Sequence, residues 1–117
     1  MAARHFAAGS AAIRFQSSAF RFSNVTIGIL QLELAIPGAM SLKDKRQAIR
    51  SVKDRIANGF NVSIAETEAQ DEHRRCVFGV AMVGTGRAYI EGALSKVVDL
   101  VREAPQVNLT DFRLDFV

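Results

Sequence analysis

The chain has 117 residues, 49% of them apolar and 23% charged, which fits one soluble globular domain with a packed core. No apolar run approaches the ~20 residues of a membrane-spanning helix, and the single cysteine, Cys76, excludes an internal disulfide. The formal charge of +3 is local: Arg4, Arg14 and Arg21 are three of the 15 basic residues, leaving 12 basic against 12 acidic residues after position 24. Net charge therefore gives the domain no argument for nucleic-acid binding.

Residues 1–24, MAARHFAAGSAAIRFQSSAFRFSN, hold Ala, Ser, Arg and Phe and no acid. That composition suits an organellar transit peptide, and equally a dispensable tail or a mis-set start. The expected compartment is the cytoplasm, or an organelle matrix if the segment is a transit peptide. The domain is expected over 25–117.

VTIGILQLELAIPG, from Val25, predicts a first strand. Leu30, Leu32, Leu34 and Ile36 fall on one side, while Gln31 and Glu33 fall on the other. Pro37-Gly38 ends it. Ser41 to Phe60 predicts a helix. Ser41 is the N-cap, with Asp44 three residues on as a capping-box variant, and Asn58-Gly59 is the stop. Leu42, Ile49, Val52, Ile56 and Phe60 mark its apolar stripe. NVSIAETEAQ predicts a polar edge strand with Val62 and Ile64 inward, and DEHRR a hairpin tip. RCVFGVAMVG is apolar on both sides, which predicts a central strand with Cys76, Phe78, Val80 and Met82 on one face. A second helix is expected over 87–104, with Ile90, Leu94, Val97 and Val101 inward. The last strand, 106–117, alternates through Phe112, Leu114 and Phe116. Val107 and Leu109 have the opposite parity, which predicts a bulge near Thr110.

The order βαββαβ, with right-handed crossovers, gives an α+β ferredoxin-like sandwich: a four-stranded antiparallel sheet of order 4-1-3-2, with two helices on one face. The other face is left open. Ile27, Ile29, Val77 and Ala81 are its candidate partner residues, and a homodimer is the expected occupant.

Little of the sequence points to catalysis. Cys76 falls on the inward parity, away from His73 in the hairpin tip and His5 in the extension. One cysteine and one histidine in the domain make no zinc site, and no metal or cofactor is expected. Glu66, Glu68, Asp71, Glu72 and His73 form at most a loose cation site, and a solvated hairpin tip serves as well. The turn at Gly84, Gly86 and Arg87 precedes a helix and is a weak candidate anion site, or simply a flexible turn. Base stacking on the central strands is not expected, because Phe78 points inward.

The first helix carries more signal. At 100° per residue, Lys43, Arg46, Arg50 and Lys53 share a sector of about 80° beside the apolar stripe. Four cations along one edge suit phosphate contacts, or a solvated flank whose aliphatic stems cover the core. Lys45 points nearly into the stripe itself and is expected to snorkel outward.

The run LQLELAIPGAMSLKDKR, followed by RSVKDR, FNVSIAE and QD, resembles the YlxP-like family of small bacterial proteins, a domain of unknown function. The resemblance spans about 25–117 and implies a ferredoxin-like fold. Members are often encoded beside translation and ribosome-maturation factors, so it implies a non-enzymatic accessory protein bound to ribosomal RNA or a ribosomal particle. It brings no catalytic residues.

Overall fold

The computed structural model describes residues 24–117. The extension and its transit-peptide reading lie outside the described residues, Asn24 apart. The elements are β1 (Thr26–Ala35), α1 (Leu42–Gly59), β2 (Ser63–Glu68), β3 (Arg75–Gly84), α2 (Arg87–Glu103) and β4 (Asn108–Phe116). The strands pair antiparallel in the order β2-β3-β1-β4, which is the expected ferredoxin-like sheet.

Parity explains the layers. Leu30, Leu32 and Leu34 of β1 and Cys76, Phe78, Val80 and Met82 of β3 face the helices and are buried. They meet Ala48, Ile49, Val52 and Ile56 of α1, and Ile90, Leu94, Val97 and Val101 of α2, in one core. The two central strands thus supply the most apolar inner faces, because only they have neighbours on both sides.

The parity break in β4 is resolved as expected. Glu33 pairs with Asp111 and Leu34 with Leu109, so Thr110 is the extra residue. Its hydroxyl donates to the Glu33 carbonyl at 3.0 Å. The bulge keeps Leu109 and Leu114 on the same side despite their mismatched spacing. A second bulge at Thr67, between Glu66 and Glu68, was not legible from alternation.

Phe112 was expected inward. It lies on the helix side but at the outer rim of an edge strand, 43% exposed, with the Arg102 guanidinium 5.4 Å from its ring centre. Gly28 sits under α2 at close approach. A Cβ there would lie 2.5 Å from Ile90 Cγ2 and 3.0 Å from Leu94 Cδ1. Gly28→Ala is therefore expected to destabilise the fold by about 2 kcal/mol through overpacking, as read by urea denaturation.

Candidate functional site

Everything at the candidate site depends on the rotational phase of α1, which its cap sets. Ser41 Oγ accepts from Asp44 N at 3.1 Å, and Asp44 Oδ2 accepts from Met40 N at 2.9 Å. The reciprocal bond thus reaches Met40 rather than Ser41, one residue earlier than in the usual capping box. In that phase Lys43, Arg46, Arg50 and Lys53 are all exposed. Among the described residues, no carboxylate lies within 4.0 Å of any of them.

The same phase turns Lys45 inward, where it does not snorkel. Its side chain is 2% exposed. Its ammonium donates to the carbonyls of Ala69 and Glu72, each at 2.8 Å, and lies 2.7 Å from Glu66 Oε2. The expectation failed for a physical reason: the β2–β3 hairpin tip brings three oxygens to the ammonium, so it does not have to reach water. The carboxylate contact is an ion pair by distance; Glu66 Oε2 is buried without an aligned hydrogen bond. Ala69 holds a left-handed backbone, φ 64°, and its carbonyl also accepts from Glu72 N at 3.0 Å. Lys45 therefore fixes a strained turn. Beside this cluster, burial first and the Glu66 charge second push the Cys76 thiol up to about 12. At neutral pH it remains protonated, a core side chain rather than a nucleophile.

Most of the acidic hairpin is engaged in the same way, with Asp71 left exposed. Glu66 turns in to Lys45, while Arg75 takes Glu33 at 2.8 Å, Glu72 at 3.5 Å and Glu68 at 4.0 Å. The hydrogen bond to Glu33, then its charge, raise the Arg75 pKa further. The described residues contain no group of three or more potential metal ligands.

On the open face, Ala81 is exposed, Ile29 is 40% exposed and Ile27 is half-buried. Val77 shares that face but not its exposure: it is only 1% accessible, which corrects its place among candidate contact residues. It lies between Glu33 and Glu68 in the sheet, and Arg75 bridges those two acids across it. Val83, at 62%, is a further exposed apolar residue on that face, outside the candidate set. At the weak anion site, Gly84 ends β3 and Gly86 is the N-cap of α2 with no side-chain cap. Arg87 lies over the Phe116 ring at 4.3 Å, so its guanidinium is already engaged. The structure brings the helix cations together and leaves these turn residues on a separate element.

Removing one partner of a buried ion pair leaves the other uncompensated, and here it also strands two carbonyls. Lys45→Met should cost roughly 3 kcal/mol, measured by urea unfolding. Unchanged stability would show that the ammonium adds nothing net.

Residues 27–114 match the profile described as "Protein of unknown function (DUF503)". The chain is 36% identical over 90 residues to "Uncharacterized protein YlxP" of Bacillus subtilis (strain 168), covering 77% of this chain and 98% of that protein. Among solved structures, the designed protein Foldit4 matches with a TM-score of 0.48 at 8% identity, covering 80% of this chain and 96% of that one. SnoaB, a cofactor-independent oxygenase from Streptomyces nogalater, matches with a TM-score of 0.44 at 10% identity, covering 81% and 92%. Likeness at that level transfers no activity. The profile match and the Bacillus relative place this chain in the DUF503 family, the YlxP-like family.

Proposed function

We propose that this protein is a non-enzymatic accessory factor that contacts RNA of the ribosome or its precursors through the basic edge of α1. The observation that carries the reading is the alignment of four unpaired cations on one helix edge; Arg55, Lys96 and Arg113 also lack a carboxylate within 4.0 Å among the described residues, but lie off that edge. Arg75, Arg102 and Lys45 each have a carboxylate within 4.0 Å, and Arg87 stacks on Phe116. Lys43, Arg46, Arg50 and Lys53 share one exposed edge with no such partner among the described residues. A rigid helix with four aligned, uncommitted cations matches a run of phosphates, which a solvated flank does not require. Contacts of this kind position a polyanion and release counterions. Four of them imply a roughly 50-fold loss of affinity between about 50 and 200 mM salt.

Sedimentation of the tagged protein in cell lysate tests this. At low salt it should travel with a ribosomal subunit or precursor, and at high salt it should return to the top of the gradient. Arg46→Glu with Arg50→Glu should abolish co-migration. If the double variant travels like the parent, the reading is wrong.

The open sheet face favours a second reading, a homodimeric binding module. Ile29 and Val83 expose apolar surface on a face with no helix over it, and a second copy offers the same apolar chemistry. Sedimentation equilibrium should then show a dimer that Ile29→Lys converts to monomer. A monomer across the micromolar range would remove this reading.

A further inference from the structure

A groove of about 450 Å³ opens where the β1–α1 turn, the first two turns of α1 and the start of β4 meet. That is within the roughly 300–1,000 Å³ typical of small-ligand sites. Its buried walls are Ile36, Ala39 and Ala48. Its polar residues are Asp44, Gln47, Gln106 and Asn108. Three of these four are carboxamides, each able to donate and accept at once. None of the three amide groups has a hydrogen-bond partner within the protein among the described residues.

Gln106 makes the groove more than a surface crease. Its φ is 73°, in the left-handed region that favours glycine. Such a conformation costs a side-chain-bearing residue stability, and it persists only where the surroundings impose it. Here Ala104 and Val107, 6% and 4% exposed, pin the turn on both sides. Glycine would serve the turn with less strain. A glutamine there places an amide in the groove lining.

We infer that this groove receives a base of single-stranded RNA, read by the amides of Gln47, Gln106 and Asn108. The inference rests on the RNA reading of α1 and deepens it. Geometry links the two: Gln47 lies about 40° round the helix from Lys43. A strand with its phosphates on Lys43, Arg46 and Arg50 therefore passes the mouth of the groove. Among the described residues lining it, the one charged side chain is Asp44, whose carboxylate disfavours phosphate. Its Oδ2 is used by Met40 N, and Oδ1 remains as an acceptor. Carboxamides and a carboxylate together suit the edge of a base carrying an exocyclic amino group, which adenine, cytosine and guanine have and uracil lacks. Sequence recognition of RNA rests on such unstacked single-stranded bases.

The test is fluorescence anisotropy with short labelled oligo(A), oligo(C) and oligo(U) at about 50 mM salt. The parent should bind oligo(A) and oligo(C) about tenfold tighter than oligo(U). Gln106→Gly combined with Asn108→Ala should bring all three to the oligo(U) level. Gln106→Gly alone should also raise thermal stability, because it relieves the left-handed strain. Arg46→Glu with Arg50→Glu should weaken all three alike. Equal, salt-sensitive binding of all three by the parent would overturn the groove while leaving the phosphate reading intact. No binding to any RNA would overturn both. Preference retained in the Gln106→Gly/Asn108→Ala variant would also overturn the groove.

Discussion

An ammonium group shut away from water must find its partners inside the protein, and Lys45 finds all of them in one hairpin. Two carbonyls and a carboxylate surround it within 2.8 Å. A buried lysine with fewer partners would lose its charge or unfold its surroundings. The consequence is directional. The bond to Ala69 spans 24 residues of chain and that to Glu72 spans 27, so the first turn of α1 is locked to the far end of the sheet. With the cap at Ser41 and the ammonium below it, α1 has no freedom to roll. The exposed cations on its other side are then held in fixed order, without needing any contact of their own.

The hairpin also determines where charge is free. Three of its acids are engaged internally, Glu66 by Lys45 and Glu68 and Glu72 by Arg75, while Asp71 stays exposed. Arg75 draws in Glu33 from β1 as well, and the resulting lid covers Val77. A domain with equal numbers of acids and bases can thereby still present a local row of unpaired cations. Net charge is silent about such a surface; pairing decides it. Ion pairs of this exposed kind contribute little stability. Their effect here is to neutralise Glu66, Glu68 and Glu72 locally.

Legibility in the sequence followed the range of the interaction. Period-2 and 3.6-residue patterns are local, so the strands, both helices and the sheet order were readable. The parity conflict between Leu109 and Phe112 located the Thr110 bulge. Lys45 was visible in the apolar stripe, since its position differs from Val52 and Ile56 only in chemistry. What it bonds was not visible, because the acceptors are backbone carbonyls on a remote turn and carry no sequence signature. Val77 failed for the same reason: its parity is correct, but its cover comes from Arg75 reaching across two strands. Thr67 and Ala69 leave no break in alternation strong enough to announce a bulge or a left-handed turn. Gln106, after Pro105, lies where a turn is evident but its handedness is not.

The two left-handed residues show how differently strain can be placed. Ala69 is held by Lys45 and by a bond from Glu72, so its strain closes a turn whose carbonyl the fold uses. Gln106 follows Pro105 in the tight turn from α2 to β4, between the buried Ala104 and Val107, and its side chain takes no part in the core. The first is explained by structure alone. The second puts a polar group into a groove beside the basic edge of α1, where it adds nothing to packing. The turn accounts for the backbone of Gln106 but not for glutamine in place of glycine, and on the proposed reading a ligand in the groove supplies that reason. On that reading the helix cations and the amides would form one continuous surface, with phosphate chemistry on the exposed edge and base chemistry in the cleft next to it.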